Sequence, residues 1–162
     1  MESVLRGAAI FGVSGSLLAA GVPTFWANLS ASRVHEALDG LARISANAIG
    51  AAAAHRQAES FPPSVELTPR EVPRGEWLVD PPGTWAHLTW RALDFELDTA
   101  HAFAFRFDSS IDADTGIARF VATAHGDLDG DGNLSTFQIQ GERVPARDAR
   151  LSSGLLLKEE FE

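Results

Sequence analysis

No charged residue occurs between Arg6 and Arg33, and this stretch limits what the chain can fold into more than any other feature of its sequence. About 20 apolar residues in a helix cross the hydrocarbon core of a bilayer. The run that begins at Gly7 is long enough, although its many Gly, Ala and Ser residues make it only moderately hydrophobic. We therefore expect residues 1–26 to be a retained membrane anchor, with Arg6 holding the N-terminus in the cytoplasm.

Two other interpretations of this stretch stay open. A cleaved secretory signal would use Met1–Arg6 as its basic end and Ala19–Gly21 as its small-residue cleavage site. A buried helix of a globular protein is the third interpretation. The first two both predict that the rest of the chain is exported.

Composition excludes several classes of function. The 162 residues suit one domain with a sizeable core. The formal charge of −9 opposes nucleic-acid binding, which depends on clustered Lys and Arg. The absence of cysteine excludes disulfides, thiolate zinc sites and cysteine nucleophiles.

The segment 27–57 has the pattern of an amphipathic helix. Its apolar residues recur at steps of three and four, so they form one stripe that needs a partner surface. These residues are Val34, Leu38, Leu41, Ile44, Ala48 and Ala52. The segment 58–100 is rich in proline and is expected to be irregular, with at most one short strand at Glu76–Val79.

The period changes to two in the segment 101–142, which predicts an antiparallel sheet with strands at His101–Phe107, Ile117–His125 and Ser135–Gln140. A C-terminal segment follows at 143–162. The helix stripe is the available cover for one face of the sheet. The predicted fold is thus α+β, with a long N-terminal helix, apolar first and amphipathic second, packed on a small antiparallel sheet. Residues 27–162 form its globular domain.

Three segments carry a resemblance to a known family. Leu18–Phe25 (LAAGVPTF) and Ser32–Ile44 (SRVHEALDGLARI) resemble the membrane half and the following half of the helix of type IV pilins and type II secretion pseudopilins. Ala122–Gly141 (ATAHGDLDGDGNLSTFQIQG) is similar to their late strand, Asp-rich loop and strand. The chain departs from these families at Arg6, which stands where they have a glutamate, and it lacks their leader-cleavage and methylation pattern. The resemblance therefore suggests a divergent, pilin-like protein with an uncleaved anchor.

The resemblance implies a structural, non-catalytic subunit or accessory component of a type IV pilus or a type II secretion pseudopilus. Its partners would be the membrane, further copies of itself and other pilin-like subunits. It would be a single-pass protein of the bacterial inner membrane with a periplasmic or extracellular globular domain. The alternative is a membrane-tethered periplasmic binding module that does not polymerise and that calcium stabilises.

One motif favours a metal ion. The spacing D-x-D-x-D-G in the segment 127–132 is typical of calcium loops, in which alternate side chains turn their oxygens inward. The candidate ligands are Asp127, Asp129, Asp131, Asn133, Ser135 and Gln138. Gln138 stands where such loops have a bidentate glutamate, so Glu142 is a further candidate for the last ligand. The competing interpretation is an Asp- and Gly-rich hairpin turn without an ion.

The other polar clusters carry weaker signals. Asp108, Asp112 and Asp114 form a second acidic stretch without the glycine spacing of a calcium loop. The five histidines are scattered and do not form a zinc motif, and no nucleophile or nucleotide fingerprint is present. We therefore expect the protein not to be an enzyme.

Overall fold

The computed structural model describes residues 34–152 and the strand at 156–158. Apart from Val34, these residues belong to one compact unit that begins at His35. Its elements follow the chain as α1 (34–54), a 3₁₀ turn (Gln57–Glu59), β1 (Val65–Thr68), α2 (Leu88–Ala92), β2 (Phe103–Ile111), β3 (Ala118–Gly126), β4 (Ser135–Arg143), β5 (Arg150–Leu151) and β6 (Leu156–Lys158).

The strands form one antiparallel sheet in the order β1-β2-β3-β4-β5. β6 also pairs with β4, opposite residues 136–138, whereas β5 pairs with residues 141–142. The three strands expected from the period of two are confirmed as β2, β3 and β4, each shifted or extended toward its C-terminal end.

The core lies on the face of the sheet that the alternating phenylalanines occupy. Phe103 and Phe105 are fully buried. A Cβ added to Gly126 would lie 2.5 Å from the Phe103 ring that faces it across the ladder, and one added to Gly40 of α1 would lie 2.5 Å from Cζ of Phe105. Glycine at these positions therefore leaves the space that the two rings fill.

α1 buries its apolar stripe from Leu41 to Ala52, whereas the first two stripe residues, Val34 and Leu38, are only half-buried. Leu41 and Ile44 are at most 1 % exposed, as are Ala37, Ala48 and Ala52, while Asp39 and Arg43 on the opposite face are exposed. The guanidinium of Arg143, on β4, fixes the end of the helix by donating to the carbonyl oxygen of Ala52 at 2.6 Å. A cation at this end also interacts favourably with the helix dipole.

The predicted fold of a long N-terminal helix on a small sheet is wrong, although the mixed α and β content is as expected. α1 covers 34–54 and is amphipathic rather than apolar, because one of its faces packs inward and the other meets water. The sheet has six strands instead of three. Within the described part of the chain, no helix combines the length and the hydrophobicity needed to span a bilayer. The anchor prediction for residues 1–26 lies outside the described residues.

The proline-rich region holds more structure than its sequence predicts. The prediction of a strand at Glu76–Val79 is wrong, because Leu78 forms only an isolated bridge with His101. The strand lies earlier, at β1, where it pairs with β2. α2 carries Trp90 into the core, and the indole nitrogen of Trp90 donates to Thr68 Oγ1 at 2.9 Å.

Candidate metal centre

The acidic loop at 127–134 joins β3 to β4. The ladder between these strands ends at the pair Gly126 and Ser135, so the loop starts and ends at neighbouring positions. Gly130 and Gly132 have φ values of +83° and +95°, which residues with a side chain rarely adopt. The alternation of Asp and Gly therefore allows a tight turn that points carboxylates toward its centre.

Asp127 organises the loop from inside. Its side chain is 1 % exposed, and its Oδ1 accepts from the N–H of Gly130 at 2.7 Å while its Oδ2 accepts from that of Gly132 at 3.1 Å. The backbone oxygen of Asp127 accepts from Gly75 N at 2.8 Å. A buried carboxylate needs such donors, because burial removes its hydration.

The other two aspartates converge on Asp127. One carboxylate oxygen from each of Asp127, Asp129 and Asp131 lies within 4.8 Å of the others. Asp129 Oδ1 accepts from Asp131 N at 3.1 Å, and Asp131 Oδ1 accepts from Asn133 N at 2.7 Å. This last hydrogen bond, from the backbone N–H of Asn133, is the main reason that the pKa of Asp131 lies below its ordinary value.

The remaining predicted ligands are placed differently. The side-chain amide of Asn133 donates to Asp131 Oδ2 at 2.7 Å, so Asn133 serves the cluster as a hydrogen-bond donor. Ser135 is the first residue of β4, beside the loop. Gln138 is three residues further along β4, about 10 Å at the rise of a strand, and its amide donates to Thr123 Oγ1 at 3.2 Å. The structure thus gathers the three aspartates but not Gln138.

The further candidate Glu142 is also remote from the loop. It lies opposite Arg119, near the other end of the ladder between β3 and β4. Its Oε1 accepts from Arg150 Nη2 at 2.9 Å. This pairing places Glu142 in an ion pair at the sheet edge instead of at the aspartates.

A cavity of about 350 Å³ beside the loop brings in residues that the sequence did not suggest. Asp127 and Gly132 line it, together with Glu71 and Arg74 from the proline-rich region. These residues meet because Gly75 bonds to Asp127, and nothing in the local spacing around Glu71 signals this contact. Glu71 thus adds a further acidic side chain to the lining of the cavity next to the loop.

The second acidic stretch is arranged differently. The Asp108 carboxylate accepts two hydrogen bonds from Arg106, each 2.8 Å long. Asp112 lies 4.0 Å from Arg119, and its pKa is lowered chiefly by the N–H of Thr115. In the described ranges, the three loop aspartates are the only group of His, Asp or Glu side chains close enough together to hold a metal ion.

Two histidines have defined partners elsewhere in the fold. His101 is buried, with its Nε2 2.9 Å from Asp80 Oδ2 and its Nδ1 2.8 Å from the oxygen of Phe103. His125 Nδ1 lies 2.9 Å from Thr136 Oγ1. Burial, and to a smaller extent the charge of Arg106, lowers the pKa of His125, which favours its neutral form.

Neither the family models, nor the curated proteins, nor the solved structures that were compared with this chain match it. Three carboxylates in a tight turn are suited to a hard cation such as Ca²⁺, which prefers oxygen ligands.

Proposed function

We propose that the chain is a structural, non-catalytic subunit or accessory component of a type IV pilus or a type II secretion pseudopilus. The observation that carries the proposal is that α1 buries one face in the domain and exposes the other. Most of the pilin-like segment 32–44 lies in this helix, which buries Leu41 and Ile44 and leaves Asp39 and Ala42 exposed. One side of the helix is thus committed to the domain, and the other is available to neighbouring subunits.

The proposal assigns residues 1–26 to the inner membrane and the unit that begins at His35 to the periplasm or to a filament outside the cell. The Asp-rich hairpin between β3 and β4 falls within the third pilin-like segment, 122–141. It supports the same assignment, because the family resemblance includes a strand, an acidic loop and a strand in this order.

The test is incorporation of the full-length chain into a surface filament. Cells of the source bacterium that express a tagged chain are sheared, and the sheared fraction is treated with an amine cross-linker. We expect the chain in that fraction as a ladder of multimers, and we expect the ladder to disappear in cells without the filament-assembly ATPase. A chain that stays in the membrane fraction as a monomer would contradict the proposal.

A matched pair of variants sharpens this test. Ala46 on α1 and Ala113 on the β2–β3 loop are both exposed, so Ala46→Glu and Ala113→Glu should both fold. Ala46→Glu should block incorporation, because it adds charge and bulk to the outer face of α1. Ala113→Glu should assemble normally. Equal incorporation of the two variants would exclude the outer face of α1 as a contact surface.

The aspartate triad favours the second candidate function, a membrane-tethered binding module stabilised by calcium. Asp127, Asp129 and Asp131 would supply three of the six to eight oxygen ligands that calcium takes. Water and loop carbonyl groups would have to complete the shell, because Gln138 is bonded to Thr123. The ion would fix the β3–β4 connection, and its affinity would be modest.

A further inference from the structure

Among the described residues, one run of three consecutive large apolar side chains is exposed. Trp77, Leu78 and Val79 are 41 %, 47 % and 65 % exposed. Isolated exposed apolar residues are ordinary, but a consecutive run of them is typical of an interaction surface. We call residues 77–79 the apolar strip.

The strip is held in place by the core beneath it. Leu78 and His101 exchange two backbone hydrogen bonds, each 2.9 Å long. Asp80, which follows the strip, accepts from Trp85 Nε1 at 2.7 Å and lies 2.9 Å from Nε2 of the buried His101. Because the backbone of Leu78 and the side chain of Asp80 are held in this way, little backbone entropy is lost when a partner binds the exposed side chains.

A cavity of about 400 Å³ begins where the strip ends. Asp80 and Trp85 form part of its wall, and the exposed residues Glu96 and Asp98 line it as well. Arg91 is the single cation among the residues that line this cavity, so carboxylates outnumber basic groups. The cavity is therefore suited to a positively charged group from outside.

We propose that the apolar strip and this cavity form a docking site for a partner protein that presents a lysine or arginine side chain flanked by apolar residues. The cation would enter between Glu96 and Asp98, with its aliphatic stem against Leu97 at the wall, and the flanking residues would cover the strip. An anionic lipid surface fits less well, because Glu76 next to the strip joins Glu96 and Asp98 in repelling it. The residues that line this cavity do not include any residue of α1.

The test uses the full-length chain with ¹⁵N-labelled tryptophan, so that the indole signals of Trp77 and Trp85 report on the strip and the cavity. The probe is an acetylated and amidated Leu-Lys-Val-Lys-Leu peptide, and the control probe replaces both lysines with glutamate. We expect the lysine peptide to shift both indole signals and the glutamate peptide to shift neither. Added salt should weaken the binding, because the charges at the site are exposed.

Variants separate the two parts of the site. Leu78→Ser should remove binding, whereas Ile111→Ser, which changes an aliphatic side chain of the same 47 % exposure on β2, should leave it unchanged. Glu96→Gln with Asp98→Asn should weaken binding about fivefold or more, and Arg91→Gln should strengthen it, as expected for exposed charge pairs.

Several results would overturn the proposal. These are equal shifts with both peptides, no shift with millimolar lysine peptide, and equal losses in Leu78→Ser and Ile111→Ser. A shift of the Trp77 indole signal when phosphatidylglycerol is added to phosphatidylcholine vesicles, without a response to the lysine peptide, would identify an anionic lipid surface as the occupant and would also refute it. None of these results bears on filament incorporation, so the two proposals fail independently.

Discussion

Two acidic loops lie at opposite ends of β3, and they use aspartate in different ways. In the loop before β3, Asp112 Oδ1 accepts from the N–H of Thr115 at 2.8 Å, and Arg119 lies 4.0 Å from the same carboxylate. In the loop after β3, the buried Asp127 accepts from two glycine N–H groups, and two more aspartates converge on it. The first loop holds Asp112 mainly through backbone N–H groups, with a guanidinium at 4.0 Å, whereas the second brings three carboxylates together, whose repulsion a cation would relieve.

The largest expected difference is between the stability lost on removal of Asp127 and that lost on removal of Asp112. Asp127→Ala removes a buried acceptor from two N–H groups, and hydrogen bonds to a charged group contribute about 1.5–3 kcal/mol each. Allowing for solvation of the freed N–H groups, we expect a loss of about 2–4 kcal/mol, seen as a fall in Tm of roughly 5–15 °C. Asp112→Ala should lower Tm much less, because the side chain of Asp112 is 38 % exposed and water can replace it as an acceptor. Equal losses in thermal unfolding would remove the distinction between the loops.

Substitution of Gly75, which contacts the second loop, and of Gly116, in the first loop, tests what supports each loop. Gly75 and Gly116 have nearly the same φ, +65° and +67°, so the backbone strain from alanine is similar in both. A Cβ on Gly75 would lie 3.3 Å from the backbone of Asp129, whereas one on Gly116 would lie 3.3 Å from Cγ of Pro145, which its ring pucker can move. Gly75→Ala should therefore cost about 1 kcal/mol more than Gly116→Ala in urea unfolding. The reverse order would mean that the segment at Gly75 does not support the aspartate loop.

Calcium should act on the second loop alone. With a Kd on the order of 10⁻⁴–10⁻³ M, typical of weak extracellular sites, 1 mM calcium adds about 0.4–1.4 kcal/mol by mass action. Tm should rise by about 1–5 °C relative to chelator. Asp129→Ala should remove this rise, and Asp114→Ala in the first loop should keep it. Identical melting curves of the unmodified chain in chelator and in calcium would reduce the motif to an ordinary turn.

The smallest effect is on acid stability. The pKa values of Asp112 and Asp131 are both lowered, mainly by a backbone N–H, so their charged forms favour the folded state. This stability is present above the ordinary value of 3.8 and is lost as the pH falls through the lower folded pKa. Carboxyl ¹³C titration should place both midpoints below 3.8.

Calcium and one variant sharpen the comparison of the two carboxyls. Calcium should lower the pKa of Asp131 further and leave that of Asp112 unchanged. Arg119→Gln should raise the pKa of Asp112 only slightly, because Arg119 is the weakest of its causes. A calcium response at both carboxyls would point to general charge screening instead of a site.

The sequence predicted the convergence of the aspartates better than the rest of the proposed ligand set. Alternate spacing around glycine is a local property, so it survives folding. The placement of Ser135 and Gln138 depends on where β4 begins, which the pairing of Ser135 with Gly126 decides. The contact of Gly75 with Asp127 joins distant parts of the chain, and no spacing rule reaches it.

In the fold as well, features that depend on local sequence patterns were predicted, and features that depend on contacts between distant segments were not. Alternation of large apolar residues predicted β2, β3 and β4, and the stripe predicted the buried face of α1. β1 was missed because its four residues lie between prolines, and only their pairing with Phe105 and Phe107 makes them a strand. Trp77–Val79 has the composition of a strand, yet it lies exposed with a single bridge at Leu78.

Three phenylalanine rings occupy space that a glycine leaves free: Phe105 at Gly40, Phe103 at Gly126, and Phe120 at Gly141. In each pair, a methyl group on one residue is compatible only with a smaller residue at the other. Divergent descendants of this chain should therefore change both members of a pair together or neither. Correlated substitution at 40 with 105, 103 with 126 and 120 with 141 is thus a signature by which remote homologues could be recognised after overall identity has been lost.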